Sequence, residues 1–284
     1  MRKVSGFIKI IRPVNCLMMG LAVIAGAIIS SEGEISESNI FSLILGFLTA
    51  LTLTGASMSI NDYYDREIDA VNEPSRPIPS GLISPKESLV LSSTLAITGL
   101  SSATLIGTPC LLLAASSWLI SVFYSRSGKR TGLPGNLMVS TCIAIPFIYG
   151  SICVKGSIDQ NTLIFAILAF LTNTGREIVK GIADVEGDKL KGMKTLAILY
   201  GEKRAAQIAL IFFVSAVMLS PLPIILKLTH SLFIPLVMIA DAGFLISAAN
   251  IVMYATRENA KKVKKVILIW MLIGLIAFIA GTVK

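Results

Sequence analysis

The sequence predicts an all-α membrane protein, a bundle of about nine transmembrane helices packed around a central cavity. First, 54% of the 284 residues are hydrophobic and only 15% are charged, whereas a soluble domain usually carries about 25% charged residues. Second, the charges are absent from long apolar stretches and crowded into the segments between them. Much of the surface is therefore expected to face lipid rather than water.

Nine stretches come close to the roughly 20 apolar residues that cross a hydrocarbon core about 30 Å thick. They lie near residues 14–30, 40–60, 88–106, 109–125, 135–154, 161–181, 205–226, 231–254 and 265–283. Each should be helical, because irregular backbone exposed to lipid would leave peptide groups unpaired. Small and hydroxylated residues such as Thr52, Ser57 and Thr172 favour close packing around an interior cavity. No Gly/Ser-rich linker divides the chain, so residues 1–284 are expected to form a single domain.

The basic residues predict how the bundle is oriented. With the N-terminus on the cytoplasmic side, 22 of the 25 Lys and Arg residues fall on that side, and only Lys155, Lys227 and Lys284 fall outside. This asymmetry follows the positive-inside rule and predicts a multi-pass protein of the cell membrane with a cytoplasmic N-terminus. It also accounts for the net charge of +8, so no nucleic-acid partner is expected. A group of lysines before the ninth stretch is expected to bind anionic lipid headgroups; its members are Lys261, Lys262, Lys264 and Lys265.

An acidic cluster follows the second stretch and consists of Asn61, Asp62, Asp65 and Asp69. If the helix continues past the membrane core, the three aspartates fall at i, i+3 and i+7 on one face. Carboxylates held so close together repel one another and need a cation. Carboxylate and amide oxygens suit Mg²⁺, which proteins often share with substrate phosphates.

A second cluster, Asp184 and Asp188, ends the sixth stretch. Arg176, Lys180 and Asp184 follow one another at steps of four residues, so two cations and a carboxylate share one helix face. Such a mixture suits a metal–diphosphate site, since the acids hold Mg²⁺ and the basic groups neutralise phosphate charge. Because both clusters end a span on the same side, we expect one shared cytoplasmic site rather than two solvated helix ends.

These motifs resemble those of a known family. The pattern N-D-x-x-D-x-x-x-D at residues 61–69 is similar to the first aspartate motif of the UbiA superfamily of intramembrane prenyltransferases, and D-x-x-x-D at 184–188 is similar to its second. The run N-E-P-S-R-P-I-P-S-G at 72–81 and Arg12-Pro13 before the first span also match the superfamily pattern. The resemblance covers essentially the whole chain. It implies a bundle whose cytoplasmic loops form a cap over a cavity that opens sideways to lipid.

The resemblance further implies a Mg²⁺-dependent prenyltransferase. An isoprenyl diphosphate would bind through Mg²⁺ between the two clusters, where the departing diphosphate is stabilised, while apolar walls keep water from the reactive carbon. The implied metal ligands are Asn61, Asp62, Asp65, Asp69, Asp184 and Asp188, and the five aspartates are the catalytic candidates. The residues expected to bind substrate are Asn61, Arg12, Asn15, Arg66, Arg76, Tyr124, Arg126, Lys129, Arg176 and Lys180.

Within the superfamily, the residues around Asn72-Glu73-Pro74 and the stretch 175–188 look most like the branch that makes archaeal ether lipids. Those enzymes transfer geranylgeranyl from its diphosphate to the sn-2 hydroxyl of geranylgeranylglyceryl phosphate, so the implied partners are a prenyl diphosphate donor and a lipid-phosphate acceptor. A phosphate-bearing acceptor suits the basic residues near the mouth, which are Arg12, Arg176, Lys180, Lys191 and Lys194. Other acceptors known in the superfamily stay open: 4-hydroxybenzoate or another quinone precursor, chlorophyllide and haem.

A membrane transporter is the alternative functional class. Transporters place charges near the bilayer midplane in interrupted helices, whereas here the acids cluster at the cytoplasmic end, which favours an enzyme. Asp241, inside the eighth stretch, is expected either to hydrogen-bond a neighbouring helix or to face the cavity. The cysteines lie in or beside apolar stretches as small hydrophobic residues, and a bridge between Cys110 and Cys153 is left open.

Overall fold

The computed structural model of the chain describes residues 2–190 and 192–282, apart from the side chain of Arg2. In this part of the chain the regular structure is helical, with no β-strand, and nine helices are long and apolar enough to cross a membrane. The spanning helices are α2 (Pro13–Ser30), α3 (Glu37–Asn72), α4 (Pro85–Ile106), α5 (Thr108–Arg126), α6 (Leu133–Lys155), α7 (Gln160–Ala183), α10 (Glu202–Leu219) continued by α11 (Leu222–Ile225), α12 (Phe233–Met253) and α13 (Arg257–Thr282). The shorter helices are α1 (Arg2–Ile11), α8 (Val185–Leu190) and α9 (Leu196–Tyr200). The predicted all-α membrane fold with nine spans is therefore confirmed.

Two helices depart from the bounds of their apolar stretches in an informative way. The second stretch ends near residue 60, but its helix α3 runs unbroken for 36 residues to Asn72, the continuation on which the spacing of the aspartates depends. At 1.5 Å per residue it is about 54 Å long, much longer than a hydrocarbon core, so its last turns carry the first acidic cluster beyond the membrane. The seventh span is interrupted between Leu219 and Leu222, because Pro221 cannot continue the hydrogen-bond ladder.

A cap of short elements covers the end of the bundle where α3 and α7 finish. It consists of α1, the loop 73–84, a 3₁₀ turn at Gly128–Thr131, and the helices α8 and α9. α1 was not predicted; its buried face places Ile10 against Ile78 and Ile83 of the loop. Glu87, at the start of α4, accepts from Lys3 of α1 at 2.8 Å and from the backbone N–H of Ser84, so it fixes the end of the loop and ties α1 to α4.

Two isolated polar features have local partners. Ser220 donates to the Asp241 carboxylate at 2.5 Å, which confirms the expected hydrogen bond between neighbouring helices. Cys110 and Cys153 are free thiols whose sulfur atoms lie 3.9 Å apart in the buried contact between α5 and α6.

The helices α2 and α6 touch through their backbones. A Cβ added at Gly26 would lie 1.9 Å from the carbonyl oxygen of Phe147, and one added at Gly150 would lie 2.0 Å from that of Val23. Both approaches are far shorter than any real Cβ contact. Close helix approach through small residues is how membrane helices gain van der Waals contact without a hydrophobic driving force.

Gly26→Ala should therefore push α2 and α6 apart. We expect a loss of about 1–3 kcal/mol, the usual cost of overpacking, visible as a lower thermal denaturation midpoint of the detergent-solubilised protein. The matched control is Gly274→Ala in α13, where the new Cβ meets only the Cβ of Ala240 at 4.0 Å. Removing a helical glycine there should leave stability unchanged or raise it. Equal midpoints for the two variants would contradict the close contact.

Candidate functional site

The first acidic cluster lies on one buried face of α3. Asp62, Asp65 and Asp69 are 2%, 2% and 4% exposed, and their helical spacing directs all three toward the cap. Three carboxylates removed from water are costly unless each is paired and hydrogen-bonded. The contacts of these side chains show how the fold meets that requirement.

Each aspartate meets a cation from a different segment of the cap. An Arg12 Nη atom lies 2.6 Å from an Asp62 oxygen, and the Lys129 Nζ atom lies 2.6 Å from an Asp65 oxygen. Arg76 contacts Asp69 at 2.5 Å and also reaches Asp62 at 3.5 Å. Asn61 donates to Asp65 at 2.9 Å.

The cations are held by local structure that the sequence pattern did not reveal. Arg12 joins α1 to α2 with a left-handed backbone (φ 52°), a conformation that costs a non-glycine residue of the order of 1 kcal/mol or more and is common at functional sites. Lys129 lies in the 3₁₀ turn, where burial alone would lower the pKa of its ammonium, but Asp65 reverses the effect and raises it. For Arg76, burial again acts to lower the pKa, and Asp69 and Asp62 raise it above its usual range.

The second cluster is fastened to the first by Asn72, the last residue of α3. Its side-chain amide donates to the backbone carbonyl of Asp184 at 3.0 Å and accepts from the backbone N–H of Gly187 at 3.1 Å. A Cβ at position 187 would lie 2.4 Å from the Asn72 side-chain amide, so a larger residue there would displace that amide from its hydrogen bonds. Both clusters therefore occupy the same end of the bundle, as the sequence predicted.

Asp188 is the carboxylate most clearly available to a ligand. It is 2% exposed, and its Oδ1 atom has no hydrogen-bond partner among the described residues. Burial raises the pKa of Asp188 to about 6, against the opposing charge of Lys129. A buried carboxylate oxygen without a partner, close enough to Lys129 and Asp65 to feel their charges, suits a divalent cation.

The described residues include no group of three His, Cys, Asp or Glu side chains that could hold a metal ion as they are now arranged. In the first cluster the aspartate oxygens face Arg12, Arg76 and Lys129 instead of one another. The six ligands inferred from the resemblance therefore stay a prediction.

A cavity of about 500 Å³ opens beside these clusters and is lined by α2, α3, α5, α6, α7 and α13. Its charged end includes Arg12, Arg76, Arg176 and Lys180, and its deeper walls include Leu53, Trp118 and Ile145. A charged mouth above an apolar interior suits a substrate with an anionic head and a hydrocarbon tail.

The structure places most of the predicted substrate-binding residues at this cavity, and Asn15, Asn61 and Tyr124 line it too. It does not bring Arg66, Arg126 or Lys129 there, and Lys129 pairs with Asp65 instead. Arg66 lies over the ring of Tyr63 and donates to its backbone carbonyl, and Arg126 is exposed. Of the residues expected near an acceptor phosphate, Lys194 is also exposed, and Lys191 lies outside the described residues.

Three residues at the site were missed by the sequence analysis. Asn72 joins the two clusters, and Glu177 is a buried carboxylate between Arg176 and Lys180. Lys264, expected at lipid headgroups, instead lies 3.3 Å from Asp184 and 3.4 Å from Glu73, with only 11% of its side chain exposed. Glu177 could have been found from its helical spacing with Lys180. The contacts of Lys264 could not, because Asp184 and Glu73 are separated from it by 80 and 191 positions in the sequence.

A membrane-spanning α-helical bundle with paired aspartate clusters above an apolar cavity defines an intramembrane prenyltransferase. The family model of the UbiA prenyltransferase family matches residues 19–279, and the chain belongs to this family. It is 36% identical to the digeranylgeranylglyceryl phosphate synthase of Archaeoglobus fulgidus, over 99% of this chain and 98% of that protein. It is 38% identical to the synthase of the same name from Methanosarcina barkeri, over 98% of each chain.

Solved structures give the same result for the fold. One study of digeranylgeranylglyceryl phosphate synthase in membranes describes a chain that is 35% identical and superimposes with a TM-score of 0.75, covering 100% of this chain and 99% of the other. A UbiA homologue from Archaeoglobus fulgidus, bound to GPP and Mg²⁺, is 16% identical with a TM-score of 0.61 over 96% of this chain and 99% of that one. At this identity the second structure supports the fold alone.

Lys129→Gln should remove the partner of a buried carboxylate. Removing one member of a buried pair leaves an uncompensated charge, so we expect a loss of about 3 kcal/mol in stability and a fall of roughly 100-fold in prenyl transfer. The neighbouring exposed residue provides the control, since Arg130→Gln deletes the same kind of charge without a buried partner. Thermal denaturation and a product assay measure the two effects. Full activity in the Lys129 variant would remove this lysine from the site.

Proposed function

We propose that this protein transfers a geranylgeranyl group from geranylgeranyl diphosphate to the sn-2 hydroxyl of geranylgeranylglyceryl phosphate, the step that forms the second ether bond of an archaeal membrane lipid. The observation that carries the proposal is the set of three buried aspartates on α3, each paired with a cation, beside a cavity that Arg12 and Arg76 line. Full-length similarity to synthases of that name supports the choice of acceptor.

Mg²⁺ is the proposed cofactor, held by Asp62, Asp65 and Asp69 on α3 and by Asp184 and Asp188 at the end of α7, with Asn61 beside them. The donor set supports this, since it offers only oxygen ligands, and the unpartnered Asp188 oxygen lies among them. When bound, the ion neutralises charge on the diphosphate and favours its departure.

The protein's own groups have three tasks in this reaction. Arg12, Arg76 and Lys129 are placed to donate to phosphate oxygens, so they stabilise the negative charge that grows as the C1–O bond breaks and the diphosphate leaves with the bonding electrons. The apolar walls hold the prenyl chain and exclude water from C1. The acceptor oxygen then bonds to C1, and the hydroxyl proton is released.

The proposal also places the site at the cytoplasmic face. The ends of α3, α5 and α7 and the start of α13 lie at the same end of the bundle, and most of the Lys and Arg residues flank these ends. The positive-inside rule assigns that end to the cytoplasm.

The assay that tests this function offers radiolabelled geranylgeranyl diphosphate and Mg²⁺ with geranylgeranylglyceryl phosphate, 4-hydroxybenzoate or chlorophyllide in parallel. We expect product with the glyceryl phosphate alone. In sealed vesicles, product should form only when the cytoplasmic face is exposed to the donor. Product with either of the other two acceptors in place of the first would overturn the acceptor assignment.

Asp188→Asn keeps the shape of the side chain but removes its charge. We expect prenyl transfer to fall at least about 100-fold, because the substitution removes a negative charge that attracts the divalent cation, and a chelator should abolish wild-type activity until Mg²⁺ is restored. Asp159→Asn is the control, since Asp159 pairs with Lys155 at the opposite end of the bundle. If the Asp188 variant retains wild-type activity, Asp188 is not a ligand.

A further inference from the structure

The two walls of the cavity mouth differ in their balance of charge. On the α3 wall, Arg12 and Arg76 line the cavity, and each pairs with a buried aspartate of α3. A second wall, formed by α7 and α13, carries four basic side chains against one carboxylate, that of Glu177. Over the whole cavity lining, six basic side chains stand against two acidic ones.

Glu177 is the centre of the α7 half of that wall. Its side chain is 5% exposed and contacts Arg176 at 3.1 Å and Lys180 at 3.0 Å, so one negative charge holds two positive ones. The Nε atom of Arg176 is buried and has no hydrogen-bond partner among the described residues. Both cations line the cavity. The excess positive charge and the unused N–H donor of Arg176 point to an anionic ligand, which would supply the missing negative charge and hydrogen-bond acceptor.

α13 completes the wall with Lys264 and Lys265. Lys264 is occupied by Asp184 and Glu73. Lys265 lines the cavity, is exposed, and has no ion-pair partner in the described part of the chain. It directly follows Lys264 in the helix and adds a cation without an ion-pair partner to the α7–α13 wall.

We infer that the α7–α13 wall binds the phosphate monoester of the acceptor through Arg176, Lys180 and Lys265, and that Glu177 is the positioning residue for the first two. This inference rests on the proposed function, because that reaction needs two anionic headgroups bound side by side. A phosphate monoester carries a charge of about −1.5 to −2 near neutral pH, opposite in sign to the net charge of this wall. The α3 wall, with its aspartates and matched cations, is left for the donor diphosphate.

The experiment measures the KM of the acceptor and the KM of the donor separately, in nanodiscs of phosphatidylcholine. Lys265→Gln and Lys180→Gln should each raise the acceptor KM about tenfold, the loss expected for one charge-assisted hydrogen bond, with the donor KM within about twofold of wild type. Glu177→Gln should raise the acceptor KM in the same way while kcat changes less, because it misplaces both cations. Lys262→Gln, an exposed residue of α13 outside the cavity, is the control.

Several outcomes would overturn the inference. A raised donor KM would assign the wall to the diphosphate, and unchanged constants in all variants would leave it with no ligand. An effect of Lys265→Gln that appears only in nanodiscs containing phosphatidylglycerol would assign this lysine to lipid headgroups. If the Glu177→Gln variant does not fold, the Lys265→Gln variant still tests the inference, because Lys265 is exposed and its replacement leaves the core intact. Failure of the proposed function is distinct, since the wild-type protein would then give no product with geranylgeranylglyceryl phosphate at all.

Discussion

The buried aspartates at the end of α3 constrain almost everything else at the cap. Three carboxylates within eight residues of one helix lie out of contact with water, and they are tolerated only because a cation reaches each of them. Those cations come from before α2, after α3 and after α5, segments far apart in the sequence. Pairing the aspartates therefore requires that these three segments fold against the end of α3. The need to pair the buried charges thus determines how the cap is assembled.

On the proposed function, the same pairing prepares the site for phosphate. Arg12 and Arg76 are partly buried and held at the mouth of the cavity by the aspartates, so little reorganisation is needed when an anion binds. An arginine has five N–H donors, and the ion pairs of Arg76 with Asp69 and Asp62 both use the same Nη atom. The guanidinium can thus remain fixed by the protein while it donates to a substrate.

The sequence predicted the parts of this protein that depend on local periodicity. Nine apolar stretches were visible because a helix must be about 20 residues long to cross a membrane, and the aspartates could be placed on one face because helical spacing is fixed. The contacts of Asn72 and Lys264 could not be predicted, since they join residues that only the folded bundle brings together. A lysine at the membrane border can bind a lipid headgroup or belong to the site, and the sequence alone does not distinguish the two. The prediction that Lys264 contacts lipid headgroups was therefore wrong. The prediction that Arg66 and Arg126 lie at the cavity failed as well, since neither residue lines it.

The depth of the cavity follows from a contact far below the aspartates. Along α2, the residues that line the cavity end at Met19, and along α6 the lining ends at Tyr149. Below this level the backbones of the two helices are in direct contact. The carbonyl of Val23 packs against Gly150, and the carbonyl of Phe147 packs against Gly26. That contact marks the bottom of the cavity between these two helices. The charged side chains of the lining lie at the mouth, and the deeper lining is uncharged, with hydroxyl groups such as those of Thr49 and Tyr149 among apolar side chains. On the proposed function, the reacting carbon of a prenyl donor lies at the boundary between these two regions. Departure of an anion toward the mouth is stabilised there, while the packed backbones of α2 and α6 leave water no entry between them from below.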